Sequence, residues 1–240
     1  MLKTNNGGKA LVLGASSGIG RELALLLARN GWQVCATGRR GELLGQLQGE
    51  FPQKIVTHAF DVDDLPNLLP NLNVCLEKLG GMDLLVVSAG TGFLNPGLDF
   101  SVEVPTLSTN VFAFTGAIDW GFGHFLKNPG GQIAAITSVG GLVSEQAAPA
   151  YSASKAYQVM YLDAIDKKAK KNNSCCTVTE LRPGPVKTAM MKGEGHFWVC
   201  SAQRAAELSY RAIVRKKRLQ YISRRWLAIG ILLRLFSLFS

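Results

Sequence analysis

The feature that most restricts the fold is a glycine turn set between a short apolar run and a leucine-rich one. Residues 9–13 (Lys-Ala-Leu-Val-Leu) have the length and apolar continuity of a strand buried on both faces. Gly14-Ala15-Ser16-Ser17-Gly18-Ile19-Gly20 follows, then a helical run from Arg21 to Asn30, with Gly31 where a helix stops. Such a turn uses its glycines to bend tightly, to let the backbone approach a phosphate, and to pack helix close on strand. The arrangement aims free backbone N–H groups and a helix N-terminus at a pyrophosphate. A further strand, Trp32 to Thr37, arrives at the spacing of a βαβ unit.

The same alternation continues along the chain. Strands are expected near 9–13, 32–37, 54–60, 82–88, 131–138, 175–182 and 219–222, and helices near 19–30, 41–49, 64–79, 103–127, 150–171 and 201–217. This predicts an α/β fold: one doubly wound parallel sheet of about seven strands with helices on both faces. The expected organisation is a flexible N-terminus over 1–8, a catalytic domain over 9–222 and a basic, apolar tail over 223–240. Ligands of such sheets bind beyond the carboxyl ends of the strands. Gly14, Ser88 and Ser138 all fall there, and Tyr151 opens the helix after Ser138's strand.

Tyr151 and Lys155 are four residues apart, so on a helix they share a face. A free phenol, with a pKa of about 10, exchanges protons poorly at neutral pH. A cation held beside it favours the phenolate and is expected to pull that pKa toward the working range. Ser138 adds a hydroxyl able to hold a substrate oxygen. A phenol that gives and takes a proton at a carbon–oxygen centre is half of a carbonyl reduction, and the phosphate-binding turn suggests the hydride carrier for the other half.

Gly14-x-x-x-Gly18-x-Gly20, Ser138, Tyr151-x-x-x-Lys155 and Asn110 together resemble the short-chain dehydrogenase/reductase family, from about residue 9 to about residue 217. The resemblance implies a single-domain Rossmann enzyme that uses NAD(H) or NADP(H). It implies catalytic roles for Asn110, Ser138, Tyr151 and Lys155, with Asn110 helping to hold a water in a proton relay and Lys155 also touching the cofactor ribose. It implies cofactor contacts from Gly14, Ser16, Ser17, Gly18, Ile19 and Gly20, from Asp61 and Val62 at the adenine, and from Ser88, Ala89 and Gly90 after the fourth strand. Pro183, Gly184, Val186 and Thr188 match the loop at the nicotinamide end. Leu13 and Ser88 depart from the family's usual threonine and asparagine. Taken singly, Asn110 and Thr188 also read as helix caps and Ser88 as a strand-end hydroxyl.

The end of the second strand bears on cofactor choice. An acid there accepts the ribose 2′-hydroxyl of NAD and repels a 2′-phosphate. This chain has Thr37-Gly38-Arg39-Arg40. Arg39 is expected to clamp a phosphate, with Arg40 and Arg21 as weaker candidates, so NADP(H) is expected over NAD(H). The expected activity is NADPH-dependent interconversion of a carbonyl and an alcohol. A 3-oxoacyl-carrier-protein reductase and a non-catalytic NADPH-binding protein are the alternatives. Gly14-x-Ser16-x-Gly18 also fits a hydrolase nucleophile elbow, a reading that leaves Tyr151 and Lys155 unexplained.

Five cysteines form no metal-spaced set, and no metal is expected. Cys175 and Cys176 are expected on opposite faces of a strand. His58 falls in a strand, His124 on a helix, and His196 in the segment expected to cover the substrate. With no signal-like or spanning apolar stretch, a cytoplasmic protein is expected. Residues 1–200 carry 17 Lys/Arg against 16 Asp/Glu, whereas residues 201–240 carry 9 against 1, so the last forty residues account for nearly all of the net charge of +9. No recognised nucleic-acid module accompanies that charge, and nucleic acid is not an expected partner. Residues 226–239 are expected to pack against the body or a sister subunit of a homodimer or homotetramer, roofing the cleft. Peripheral contact with an anionic membrane is the alternative.

Overall fold

The computed structural model describes residues 7–173, 175–188, 191, 198–223 and 225–228. Seven strands, β1 (Lys9–Leu13), β2 (Gln33–Gly38), β3 (Ile55–Ala59), β4 (Leu84–Val87), β5 (Gly131–Ile136), β6 (Cys176–Pro183) and β9 (Leu219–Ile222), form one parallel sheet. Their order is β3-β2-β1-β4-β5-β6-β9. Alternate residues of each strand feed opposite cores, as the two-residue period of a strand requires. Leu11 and Leu13 of β1 pack with α3 (Leu65–Leu79), α5 (Phe114–Lys127) and α6 (Pro149–Lys171). Ala10 and Val12 pack with α1 (Gly18–Arg29), α2 (Gly41–Glu50) and α7 (Ala202–Val214). The doubly wound α/β sheet read from the sequence is the fold observed.

The strand order reverses between β1 and β4, so the chain leaves β1 and β4 in opposite directions and opens a crevice at their carboxyl ends. Gly14 and Ser88 face each other across it, and Ser88 N donates to Leu13 O at 2.9 Å. A Cβ on Gly14 would lie 2.6 Å from Ala89 N, and Gly14 holds φ +83°, so only glycine lets the two strand ends come this close.

Several elements differ from expectation. The helix expected over 103–127 begins earlier, at α4 (Phe100–Leu107), where the Asp99 side chain accepts from Ser101 N at 2.8 Å. It is then interrupted by a π-helical segment, Ser108–Ala113, before α5. The buried Asn110 carboxamide bonds the main chain of Thr91 in both directions, which ties this segment to the loop after β4 and favours the wider winding. Two short parallel strands, β7 (Val186–Lys187) and β8 (Cys200–Ser201), had no sequence signal. Cys175 precedes β6, so strand alternation does not apply to it, and both Cys175 and Cys176 enter the same core. His58 lies in β3 and His124 in α5; His196 and residues 1–6 and 229–240 lie outside the described residues. No helix among the described residues is long and apolar enough to cross a membrane.

The strand that carries the site's far wall is held by buried charge. Arg182 and Glu180 of β6 are 1 % and 2 % exposed, and Glu180 Oε1 accepts from Arg182 Nε at 2.7 Å and from Thr137 Oγ1 at 2.8 Å. Arg182 also donates to Tyr221 Oη at 2.9 Å. Thr137 adjoins Ser138, so this network fixes the end of β5. Arg182→Leu leaves the Glu180 carboxylate buried with the Thr137 hydroxyl and, among the described residues, Arg218 at 3.9 Å to compensate. We expect a loss of about 3–5 kcal/mol in chemical denaturation, and a smaller loss when Glu180→Leu is added. A double variant less stable than the single one would show that the pair does not act as a unit.

Candidate active site

The crevice is a cavity of about 590 Å³ lined from the ends of six strands, β1 to β6. At its floor the turn after β1 is held by Thr37 O, which accepts from Gly14 N at 3.1 Å and Ala15 N at 2.7 Å. Gly14, Ser16, Ser17, Gly18 and Ile19 line it. Gly20 does not: its missing Cβ would sit 2.2 Å from Gly14 O, so it serves the packing of α1 on the turn. Ser17 at the N-cap of α1 makes no side-chain cap bond, which leaves first-turn N–H groups free of a protein acceptor from it.

The two arginines after β2 make different contacts. Arg40 reaches over the turn, its guanidinium donating to Ser16 Oγ at 2.9 Å and to Ser17 Oγ at 2.6 Å. Arg39 is largely exposed and lies 3.7 Å from Asp61. Both line the cavity, as do Asp61, Val62, Ser88, Ala89 and Gly90. Arg21 is engaged by Glu50 at 2.5 Å and Glu22 at 3.2 Å, away from the cavity. A side chain on Gly38 would press on Ser16, 3.2 Å from its Oγ.

On the other wall, Ser138 ends β5 and its Oγ accepts from Gly140 N at 3.0 Å, which starts a 3₁₀ turn over Val139–Gly141. A Cβ on Gly141 would lie 2.7 Å from the Lys155 carbonyl carbon, so glycine lets this turn rest on α6. Tyr151, in the first turn of α6, thereby lies beside Ser138, and both line the cavity. Gly92 completes the seat of the ring: its missing Cβ would lie 2.4 Å from Tyr151 Cδ2. Lys155 Nζ is 5.9 Å from the centre of that ring.

The electrostatics differ from the expectation of a lowered phenol pKa. Burial pushes Tyr151 up from its ordinary value, and the neighbouring Ser138 hydroxyl pulls it back only in part. Lys155 is itself pulled down, to about 8, by burial. Desolvation outweighs the ammonium because both groups lie in the cavity wall, where each charged form is costly. The phenol is thus held in its protonated form at neutral pH.

Asn110 lies behind this wall. It is completely buried, with Nδ2 donating to Thr91 O at 2.7 Å and Ser154 Oγ at 2.9 Å, and Oδ1 accepting from Thr91 N at 3.0 Å. Its main-chain carbonyl accepts from Gln158 Nε2 at 2.9 Å. Gln158 was missed, although it shares the inward stripe of Tyr151, Lys155 and Leu162, on which a polar residue stands out.

Pro183, Gly184, Val186 and Thr188 close the cavity beyond β6. Trp226, from a helical turn over 225–228, also lines it and packs on Gly184, whose missing Cβ would lie 2.2 Å from Trp226 Nε1. Trp226 meets Trp198 edge-on at 6.1 Å, and Arg225 lies over the Trp198 ring at 5.7 Å. The start of the tail therefore folds back on the cavity mouth. Its indole N–H is buried with no partner among the described residues. No histidine among the described residues lines the cavity, and Ser16 Oγ is engaged by Arg40, which removes the hydrolase reading.

Comparison with known proteins agrees with this geometry. The family model for short chain dehydrogenases matches residues 8–197. A Myxococcus xanthus protein described as an uncharacterised oxidoreductase is 31 % identical over 190 residues, covering 75 % of this chain and 73 % of its own. The Xenopus tropicalis dehydrogenase/reductase SDR family member 7B is 31 % identical over 192 residues, covering 74 % of this chain and 60 % of its own. A Sinorhizobium meliloti crystal structure, described as a candidate short-chain alcohol dehydrogenase, shares the fold with a TM-score of 0.82 at 24 % identity, over 93 % of this chain and 98 % of that one. With its sheet, its glycine turn and 190 matched residues, the chain belongs to the short-chain dehydrogenase family and is an oxidoreductase that uses a nicotinamide cofactor.

Proposed function

We propose that this protein is an NADPH-dependent reductase that interconverts a carbonyl and an alcohol. The observation that carries the reading is the convergence of the Tyr151 and Ser138 hydroxyls and the Lys155 ammonium with the phosphate-type turn in one cavity. The cofactor fits the residues present. The glycine turn and the first N–H groups of α1 suit the pyrophosphate, and Arg39 and Arg40, with no acid at Gly38, suit a 2′-phosphate. Asp61 and Val62 would flank the adenine, and Gly184, Val186 and Thr188 the nicotinamide. The chemistry that NADPH supplies when bound is hydride delivery to the carbonyl carbon.

The chain's own residues do the rest. Ser138 Oγ holds the substrate oxygen by hydrogen bond, and the Tyr151 hydroxyl gives it a proton as the alcohol forms. A phenol whose pKa burial has raised remains protonated at neutral pH, as an acid in reduction must. Lys155 offsets the charge that the phenolate gains once its proton has left. Trp226 and the loop after β6 narrow the mouth of the cavity and limit water and substrate entry.

Tyr151→Phe is expected to bind NADPH with unchanged affinity by fluorescence titration and to lose turnover by a factor of about 10³ or more, since one proton donor is removed. The substrate is found by following NADPH oxidation over ketones, aldehydes, steroids and acyl thioesters. An unchanged rate in Tyr151→Phe would overturn the assignment of the acid.

Cofactor choice is tested at the turn. Arg39→Asp combined with Arg40→Ala should weaken NADPH binding by about 10- to 100-fold, the scale of charge-assisted bonds, and leave NADH little changed. A parent enzyme equally efficient with NADH and NADPH would contradict the preference.

Lys155 makes a stability prediction as well. Its folded pKa, about 8, lies below the ordinary value of 10.5, so the buried ammonium costs stability. That cost is fully present below pH 8 and fades as pH rises toward 10.5. Relative to the parent, Lys155→Met should therefore be at its most stable near pH 7 and lose about 2–3 kcal/mol of that relative standing by pH 10. Urea denaturation of both proteins at the two pH values measures it, and a difference that does not change with pH would refute the depressed lysine.

A further inference from the structure

The wall behind Tyr151 contains a side chain to which the proposed reaction gives no task. Gln158 lies three residues beyond Lys155 on α6 and is completely buried. Its Oε1 accepts from Lys155 Nζ at 2.9 Å, and its Nε2 donates to the Asn110 carbonyl at 2.9 Å. One carboxamide thus joins the ammonium to the main chain of the π-helical segment. Asn110 is in turn fixed by Thr91 and Ser154, and Ser154 Oγ donates to Tyr151 O at 2.8 Å. The chain of bonds returns to the helix turn that carries the phenol.

An ammonium has three N–H donors. In Lys155 one goes to Gln158 and a weaker one to Ile136 O at 3.3 Å, which leaves one for the cavity it lines. The groups that face it are Tyr151 on its own helix, the Ile136 carbonyl of β5, Gly90 after β4, and Gln158 with Asn110 behind it. Tyr151 is the titratable one, and no carboxylate among the described residues pairs with the ammonium. The amide oxygen of Gln158 is therefore the strongest protein acceptor it has. A carboxamide presents the negative end of its dipole to the cation and leaves the positive charge unneutralised. Unlike a water or a hydroxyl, it hands on no proton without first tautomerising, so it is an anchor and not a conduit.

We infer that Gln158 is a positioning residue for Lys155: by joining the ammonium to the Asn110 carbonyl it keeps the ammonium charged and directed at the cavity. The catalytic consequence rests on the reductase reading given above, but the effect on Lys155 does not.

The test uses the full-length, ligand-free protein labelled with ¹³C and ¹⁵N in lysine, with the Lys155 side-chain signal assigned by its loss in Lys155→Met. Its titration is followed by NMR in the parent, in Gln158→Leu and in Gln158→Glu, each checked for a native near-UV spectrum. Gln158→Leu should lower the midpoint by about one unit or more, the scale of a hydrogen bond to a charged group. Gln158→Glu should raise it above the parent's, because a carboxylate favours the ammonium more than an amide does. The descending limb of the pH–rate profile for NADPH oxidation should move with the midpoint in each variant. A midpoint that stays in place in either folded variant would overturn the role. If the parent reduces no carbonyl, the reductase reading fails, while the titration still decides the role of Gln158.

Discussion

A lysine ammonium buried without a carboxylate is the constraint around which this site is organised. Taking an ion out of water is costly, and burial pulls Lys155 down to about 8. A nearby acid would relieve that cost, but no carboxylate among the described residues pairs with the ammonium. The fold instead supplies neutral acceptors, the Gln158 amide and the Ile136 carbonyl, from two different elements. Those acceptors can reach the ammonium only if α6, the end of β5 and the segment around Asn110 stand in fixed relation. Gly141 lets the 3₁₀ turn rest on α6, and the carboxamide of Asn110 ties the π-helical segment to the loop after β4. The secondary structure at the rim thus follows from the need to keep one cation both buried and charged.

The parallel sheet makes that arrangement reachable. Strands that all run the same way deliver their carboxyl ends to one rim, so residues far apart in sequence, Gly14, Ser88 and Ser138, meet without long loops. The reversal of order between β1 and β4 opens the crevice, and glycines at positions 14, 92 and 141 admit the close approaches that side chains would block. Burial in that crevice has the opposite sign from the pairing argument for Tyr151. The cation favours the phenolate, but desolvation of the ring is larger, and the phenol remains an acid.

Much of this was legible in the sequence because period and punctuation are local. The continuous apolar run Ala10–Leu13, the turn from Gly14 and the stop at Gly31 define β1 and α1 with little help from the rest of the chain. The seven strands of the sheet fall within a few residues of where alternation and turn residues put them. What was not legible depends on contacts between distant segments. Nothing around Ser108–Ala113 signals a π-helical winding, which answers to Thr91 in a loop 19 residues earlier. The choice of Arg40 over Arg39 as the residue that covers the turn depends on which guanidinium the bend after β2 directs toward Ser16 and Ser17. Trp226 reaches the cavity only because the chain after β9 turns back over Gly184.

Trp226 also bears on how the basic tail and the site are related. Charge alone suggests a surface partner, and the excess of Lys and Arg does lie beyond residue 200. Yet the first turn of that tail is used inward. Arg225 lies over Trp198 and Trp226 packs on Gly184, so the residues that begin the tail belong to the wall of the cavity. Any partner that draws the tail away must break these ring contacts and open the cavity mouth as it does so. Trp226 thus belongs both to the start of the tail and to the wall of the cavity.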